Sequence, residues 1–348
     1  MKIAKRYINL RVIIIMLILL SATIIFVYLK VGEKHITKDK RIVIGFCVDN
    51  FVIERWQRDQ QIFKEKALEK GVEVIFYNAN ENNDNQNKQI RLLIEKKVDV
   101  IVVVPYKKDG ISKAVDEARK AGIKVIAYDR LITDTQIDAY ISFDNVKVGE
   151  LQAKALIEKV PKGNYVIIKG SPEDNNSLMF NEGYMNELSK YINNGQIEIV
   201  AEDWAIDWRE DFAYKLVSKT LDRGIQIDAI IGANDRLAEA AIKALAEEGL
   251  AGKVFVAGHD AEISACQRIV EGTQYVTIYK PIELLAERAV DLAIKLAKGK
   301  DIQAQETIYN GVADVPYIKL DVLAVNKETI QETVIEDGFH KKEDIYRE

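Results

Sequence analysis

The amino-acid sequence predicts an α/β protein with two doubly wound parallel-sheet domains, and three observations lead to this class. Short β-branched runs alternate with longer amphipathic segments from about residue 40 onward, an order typical of parallel sheets with crossover helices. Several runs are almost continuously apolar, as in VDVIVVVP at residues 98–105, which is typical of strands buried on both faces. The chain has 348 residues, more than the roughly 150 of one domain. We therefore predict two domains of about five strands each.

The N-terminal segment predicts a membrane anchor. Residues 12–29, VIIIMLILLSATIIFVYL, are 18 residues without a charge, which is long enough for a transmembrane helix. Basic residues precede it without any acidic one, and the positive-inside rule then predicts a cytoplasmic N-terminus. The alternative is a cleaved signal peptide, but its apolar core is only about 7–15 residues long and ends at a small-residue cleavage site. We predict a cytoplasmic segment at 1–11, a single-pass anchor at 12–29, a linker at 30–40 and an extracytoplasmic remainder.

Ten apolar runs after the linker are predicted to be strands. They are residues 42–48, 72–77, 98–104, 123–128, 140–143, 165–169, 197–201, 228–232, 254–258 and 275–279. Between them, apolar residues recur with a period near 3.6, for example at Leu285, Ala289 and Leu292. This spacing predicts amphipathic helices between the strands.

Composition and motifs exclude several classes of protein. Lys and Arg number 49 against 54 Asp and Glu, a net charge of −5, without the basic surface of a nucleic-acid-binding protein. CVDNFV follows the first strand in place of a glycine-rich phosphate loop or a GxGxxG fingerprint, so no nucleotide cofactor is predicted. The three histidines share no ligand spacing with each other or with Cys47 and Cys266, so no metal site is predicted. We expect both cysteines to be buried free thiols.

Polar side chains follow nearly every predicted strand. The segments after the strands read CVDNFVIERW, YNANEN, VPYKKD, YDR, FDN, KGSPEDNN, EDWAIDW, GANDR, GHD and YKP. Because open parallel sheets bind ligands at the carboxyl ends of their strands, these segments are candidate binding loops. Asp and Asn are also favoured helix N-caps, and for Asp144 and Asp235 the cap interpretation stays open.

All three tryptophans, Trp56, Trp204 and Trp208, fall in two of these segments. A core position is the usual alternative for a Trp side chain. Aromatic faces beside Asp, Asn and Arg suit a small neutral polyhydroxylated ring, whose C–H faces stack while its hydroxyls form hydrogen bonds. The sequence therefore predicts a sugar as the ligand.

Carboxylates also raise the alternative of a glycoside hydrolase. Asp129, Asp174 and Asp260 are the candidate pair members. Each has Arg, Asn or Lys beside it in the sequence or among the loops, and such neighbours lower a carboxylate pKa and favour hydrogen bonding over acid catalysis. We therefore predict that the protein is not an enzyme, with a sugar-processing enzyme as the remote alternative.

Several longer strings resemble one family. They are ERWQRD (54–59), VIAYDRLITD (125–134), YISFDNVKVGELQAKAL (140–156), KGSPEDNN (169–176), GANDRLAEAAI (232–242), YVTIYKPI (275–282) and EDGFHK (336–341). Together they are similar to the periplasmic D-xylose-binding proteins, which belong to the type I periplasmic binding protein family of two-domain sugar receptors. The resemblance runs from about residue 41 to residue 341.

The resemblance implies a set of sugar contacts. A pyranose would stack between two aromatic rings that match Trp56 and Trp208. The residues implied to hold its hydroxyls are Arg55, Asp129, Arg130, Asp174, Asn176, Asn234, Asp260 and Lys280.

The resemblance also implies two discontinuous domains joined by a three-segment hinge. The hinge crossings fall near residues 143–146, 279–281 and 311–317. The implied first domain is 41–144 plus 282–311, and the second is 145–281 plus 312–342.

These inferences predict a membrane-anchored extracytoplasmic D-xylose receptor that closes around the sugar. Two outputs are compatible with it: signalling to a membrane sensor histidine kinase of a two-component system, or delivery to the permease of an ABC xylose importer. The short charged tether at residues 32–40 favours a fixed membrane partner and hence the sensing output. A sugar-responsive repressor would need an N-terminal DNA-binding helix-turn-helix, where this chain has its apolar run.

Overall fold

The computed structural model describes residues 12–18, 20–25, 41–51, 54–304 and 306–347. The chain divides into two compact units, Met1–Arg41 and Ile42–Glu348. In the first unit, residues 12–18 and 20–25 are helical, and their large apolar side chains are between 48% and 67% exposed. No helix within the described residues combines the length and the apolar character needed to cross a membrane.

The predicted membrane segment at residues 12–29 is only partly described. Residue 19 and residues 26–29 lie outside the described residues, as do the predicted cytoplasmic segment 1–11 and the linker 30–40. The membrane anchor therefore stays a prediction.

The second unit contains thirteen strands within its described residues. They are β1 Val43–Val48, β2 Glu73–Asn78, β3 Val100–Val103, β4 Lys124–Tyr128, β5 Ala139–Phe143, β6 Gly163–Lys169, β7 Ile197–Trp204, β8 Ala229–Gly232, β9 Phe255–Ala257, β10 Thr277–Tyr279, β11 Glu306–Tyr309, β12 Asp314–Leu320 and β13 Leu323–Val325. All ten predicted strands are present, and their ends differ from the prediction by at most three residues.

The strands form two main sheets and a small ribbon. One sheet has the order β11-β12-β5-β4-β3-β1-β2, the other has the order β7-β6-β8-β9, and β10 pairs with β13. Only the pairs β11–β12 and β10–β13 are antiparallel among these strands. We call the seven-stranded sheet with its helices the first lobe, and the four-stranded sheet with its helices the second lobe.

Helices cover the sheets, as the alternating pattern predicts. In the first lobe they are Glu54–Glu69, Asn83–Glu95, Ser112–Lys120 and Ile282–Ala297; in the second lobe they are Asn145–Lys159, Asn175–Asn193, Glu210–Asp222, Asp235–Glu247 and Ile263–Glu271. Shorter helical segments are Ile206–Trp208, Gln331–Ile335 and Lys342–Ile345.

The central strands are buried on both faces. In β3, Val100 and Val102 point into one hydrophobic cluster while Ile101 and Val103 point into another, because successive side chains of a strand face opposite sides of the sheet. Cys47 of β1 lies in the second of these clusters. Both cysteines are buried and free, as predicted.

Strands β11, β12 and β13 were not predicted from the sequence. In β12, charged residues and Pro316 interrupt the apolar pattern, and β11 lies at the sheet edge with mostly exposed side chains. β12 pairs in parallel with β5 of the first lobe, although the sequence prediction placed residues 312–342 in the second domain. Tyr317 stabilises this pairing, since its ring stacks on Tyr140 at 4.6 Å between centroids and its hydroxyl donates to the carbonyl of Phe143 at 2.6 Å.

Candidate functional site

The ten predicted binding residues line one cavity to which both lobes contribute. The cavity lies between the loops of the two lobes, and polar or charged side chains form most of its lining. All ten residues lie in or just beyond the segments that follow strands, where parallel sheets place their ligand sites. The lining residues are Arg55, Trp56, Asp129, Arg130, Asp174, Asn176, Phe180, Trp208, Asn234, His259, Asp260 and Lys280.

Arg55 joins the two lobes on one side of the cavity. Its guanidinium pairs with Asp129 of the first lobe, and its Nη1 lies 3.5 Å from Oδ1 of Asp260 in the second lobe. Asp59, one helical turn away, approaches Nε of Arg55 at 3.4 Å and accepts a hydrogen bond from the Tyr128 hydroxyl. Burial acts to lower the pKa of Arg55, but the three carboxylates outweigh burial and raise it. Arg55 therefore stays charged inside the protein.

Arg130 forms a second bridge between the lobes. Its Nη1 lies 2.7 Å from Oδ2 of Asp49 in the first lobe, and its Nε lies 2.7 Å from Oδ2 of Asp174 in the second. Burial raises the pKa of both carboxyls, and the charge of Arg130 opposes that rise. Loss of Arg130 would leave two buried carboxylates without their cation, which is a strongly destabilising change.

Asp129 is held by its backbone as well as by Arg55. Its φ is 63°, a left-handed conformation that costs about 1–3 kcal/mol for a residue other than glycine. Its carbonyl accepts hydrogen bonds from Ser142 Oγ at 2.6 Å, Tyr140 Oη at 3.0 Å and Asn176 Nδ2 at 3.0 Å. Because Asn176 comes from the second lobe, this strained turn is also a contact between the lobes.

Asp260 and Lys280 form a further ion pair in the cavity. Nζ of Lys280 lies 3.2 Å from Oδ1 of Asp260. Burial acts to raise the pKa of Asp260, but the positive charges of Lys280 and Arg55 contribute to a net lowering. His259 packs on Phe180 with 4.6 Å between ring centroids, and burial together with the charge of Lys280 lowers the pKa of His259 to about 3. His259 is therefore neutral near pH 7.

Two of the three tryptophans line the cavity. Trp56 is 3% exposed, and the guanidinium carbons of Arg55 and Arg130 lie 4.6 Å and 5.5 Å from its ring centroid. The indole N–H groups of Trp56 and Trp208 are buried and have no hydrogen-bond partner within the described residues. Trp204 is half-buried and does not line the cavity.

The helix-cap interpretation holds for some of the acidic and amide residues. Asp174 and Asn234 each accept a backbone N–H of the helix that they precede, and both also line the cavity. Asp144 caps helix Asn145–Lys159 and lies outside the lining. Asp235 is not a cap: it is the first residue of its helix, after Asn234.

Sequence reasoning missed Phe180, His259 and Asp49 as parts of this site. Phe180 lies inside helix Asn175–Asn193, where it is one more apolar residue in a helical pattern. Asp49 and His259 stand in the segments CVDN and GHD after β1 and β9. Those segments were candidate loops, but only the packing of the two lobes shows which of their side chains reach the cavity or its arginines.

Comparison with known proteins identifies the family. Residues 44–301 match the family described as periplasmic binding protein domain. The chain is 45% identical over 307 residues to the D-xylose-binding periplasmic protein of Escherichia coli K12, covering 88% of this chain and 93% of that protein. It is 29% identical over 324 residues to the multiple sugar-binding periplasmic receptor ChvE of Rhizobium radiobacter, covering 87% and 92%.

A solved structure agrees with these sequence relatives. A carbohydrate transporter solute-binding protein from Chloroflexus aurantiacus, in complex with D-glucose, superposes with a TM-score of 0.83 at 26% identity, covering 88% of this chain and 99% of that one. The relatives and the fold are those of sugar-binding periplasmic proteins and not of enzymes. The chain has the α/β fold of type I periplasmic binding proteins with parallel sheets, and it belongs to the periplasmic binding protein family.

Proposed function

We propose that this protein is an extracytoplasmic receptor that binds D-xylose in the cavity between its two lobes. The observation that carries the proposal is the charge balance of that cavity. Its lining contains three cations, Arg55, Arg130 and Lys280, and three carboxylates, while His259 is neutral because its pKa is about 3. A balanced set of charges favours a neutral ligand with many hydrogen-bonding groups over a phosphate or a free carboxylate.

The donors, acceptors and rings of the cavity suit a sugar. Hydroxyl groups both donate and accept, so they can bind the carboxylates, the amides of Asn176 and Asn234, and the cations. The buried indole N–H groups of Trp56 and Trp208 have no protein acceptor within the described residues and would gain one from a sugar oxygen. The rings themselves offer apolar faces to the C–H groups of a pyranose.

D-xylose is the sugar that the relatives favour. The Escherichia coli relative at 45% identity is a D-xylose-binding protein, and so is a relative from Haemophilus influenzae at 44% identity over 308 residues. The ten lining residues named from the sequence are the proposed contacts of D-xylose.

Binding is proposed to close the lobes around the sugar. Arg55, Trp56, Asp129 and Arg130 belong to the first lobe, whereas Asp174, Asn176, Trp208, Asn234 and Asp260 belong to the second. A sugar reaches both sets only when the lobes approach, so it binds the closed form more tightly and shifts the population towards it. Small-angle scattering tests this motion, and an unchanged radius of gyration on addition of xylose would contradict it.

The output of closure is proposed to be delivery to the permease of an ABC importer. Solved relatives include solute-binding proteins of such transporters, among them one from Clostridium phytofermentans with bound β-D-glucose at 25% identity and a TM-score of 0.80. Signalling to a membrane sensor kinase is the second candidate, favoured by the predicted anchor at residues 12–29. Purification of the full-length chain from native membranes, followed by identification of a bound permease or kinase, distinguishes the two outputs.

Calorimetry on the full-length chain tests the ligand. We expect D-xylose to bind with a dissociation constant near 1 μM, which corresponds to about −8 kcal/mol. Ribose and glucose serve as the comparison sugars. Heat from either of them together with none from xylose would contradict the proposed specificity.

A further inference from the structure

The loop that carries Asp260 has an unusual backbone. Asp260 and the next residue, Ala261, have φ values of 97° and 52°, in the left-handed region that residues other than glycine rarely adopt. Two consecutive residues in this region persist only when surrounding contacts hold them. The conformation directs Asp260 into the cavity, so whatever holds the loop also sets the position of that carboxylate.

A buried hydroxyl and a buried carboxylate hold this loop. The backbone N–H of Ala261 donates to Thr277 Oγ1 at 3.1 Å, and the same hydroxyl donates to Oδ2 of Asp235 at 2.8 Å. Oδ2 of Asp235 also accepts the backbone N–H of Glu262 at 3.0 Å. Thr277 and Asp235 are both fully buried, where such bonds are costly to lose.

The other oxygen of Asp235 fixes the start of the same loop. Oδ1 of Asp235 accepts a hydrogen bond from Gln274 Nε2 at 2.7 Å. A Cβ atom built on Gly258 would lie 2.2 Å from that Oδ1, so the chain passes the carboxylate at a distance that only glycine allows. The loop therefore contacts Asp235 on both sides of Asp260.

This network adjoins three of the proposed sugar contacts. Asp235 follows Asn234 directly, the loop carries Asp260, and Thr277 lies on β10, three residues before Lys280. Neither Thr277 nor Asp235 lines the cavity. They can act on a ligand only through the residues whose backbone they hold.

We propose that Thr277 and Asp235 are positioning residues of the sugar site, which hold the left-handed loop so that Asp260 faces the cavity. The proposal rests on the proposed function. It predicts that the hydroxyl at position 277, and not merely the volume of the side chain, sets the affinity for the sugar.

Substitution at Thr277 separates the hydroxyl from the packing. Thr277→Val keeps the shape and removes the hydroxyl, whereas Thr277→Ser keeps the hydroxyl and removes a methyl group. We expect Thr277→Val to weaken xylose binding about tenfold in calorimetry on the full-length chain, and Thr277→Ser to stay within about twofold of the unsubstituted protein. The melting temperature without sugar is measured for each variant.

Thr220 supplies the matched control. It is a buried threonine of the second lobe, whose hydroxyl donates to the carbonyl of Leu216 at 2.8 Å, so its hydrogen bond lies within helix Glu210–Asp222 and not in the network around Asp260. Thr220→Val should lower the melting temperature without weakening the binding of xylose. Equal loss of affinity in Thr220→Val and Thr277→Val would overturn the proposal, because a general loss of stability would then explain both.

A second variant keeps the test independent of the folding of Thr277→Val. Asp235→Asn keeps the shape but presents an N–H group to one of the donors, so we expect it to weaken xylose binding several-fold. Unchanged affinity in both Asp235→Asn and Thr277→Val would overturn the positioning role while leaving the proposed function intact. Failure of the unsubstituted protein to bind xylose would overturn both.

Discussion

The two lobes contribute different charges to the cavity. The first lobe supplies the two arginines, Arg55 and Arg130, and each is already paired with a carboxylate of its own lobe. The second lobe supplies Asp174 and Asp260, which reach those arginines across the cleft. The first lobe is therefore electrostatically organised by itself, whereas part of the second lobe's charge is balanced only when the lobes meet.

Each arginine therefore balances a carboxylate of the first lobe and a carboxylate of the second lobe at the same time. Removal of a first-lobe arginine breaks its contacts within the first lobe and also its contact with the second lobe. When a second-lobe carboxylate is removed, the arginine that it contacted still keeps a carboxylate partner in the first lobe. The expected effects of substitution follow that order.

The largest effect is expected for Arg130→Ala. It leaves Asp49 and Asp174 buried without their cation, which should cost about 3 kcal/mol or more of folding stability. It also removes a proposed charged contact to the sugar and a bridge between the lobes, so xylose binding should weaken about a hundredfold, or roughly 3 kcal/mol. Calorimetry measures the change. Arg91→Ala is the control, because Arg91 pairs with Glu117 on an exposed surface of the same lobe and should change affinity by less than about 0.5 kcal/mol.

A smaller effect is expected for Asp260→Ala in the second lobe. Arg55 keeps Asp129 and Asp59 as partners, but Lys280 loses its nearest carboxylate, and a lost buried charged contact to a sugar hydroxyl costs about 2 kcal/mol. Binding should weaken about thirtyfold. An effect as large as that of Arg130→Ala would break the contrast between the lobes. Asp222→Ala, at an exposed position of the second lobe, serves as its control.

A pH-dependent effect is expected from His259. Its pKa is lowered to about 3 in the folded protein, first by burial, so between that value and the ordinary pKa near 6.5 the unfolded chain binds more protons. Stability should therefore fall as the pH falls through this range, by about 1 kcal/mol from this group between pH 7 and pH 5.5. Urea denaturation at both pH values measures it. His259→Gln should remove that part of the loss, and an identical pH dependence in the variant would contradict the assignment.

The smallest effect on binding is expected for Cys47→Ala. Cys47 is fully buried in the core of the first lobe, where burial raises the pKa of its thiol, and it does not line the cavity. The substitution should cost about 1 kcal/mol of stability and leave the affinity for xylose unchanged. A loss of affinity larger than that of Asp260→Ala would show that the cleft has been assigned wrongly.

Strands that follow from a local sequence pattern were predicted well. The ten strands were predictable because continuous apolar runs of four to eight residues are typical of buried parallel strands. The ten proposed site residues were found through their place after strands and through the family resemblance, and the structure brings all of them to one cavity. Strand β12 was missed because Asp314, Pro316 and Lys319 interrupt its apolar pattern, and a Pro in the sequence argues against a strand that is paired on both sides.

The sequence by itself therefore determined the α/β alternation, the buried strands and the loops that carry the binding chemistry, since each depends on spacing along the chain. Only the tertiary structure decided which carboxylate each arginine meets, that Phe180 and His259 join the cavity, and that Trp204 does not. Such pairings join residues far apart in the sequence, and their energies depend on distance and burial. A local sequence pattern contains no information on distance or burial, so these contacts could be identified only from the packing of the two lobes.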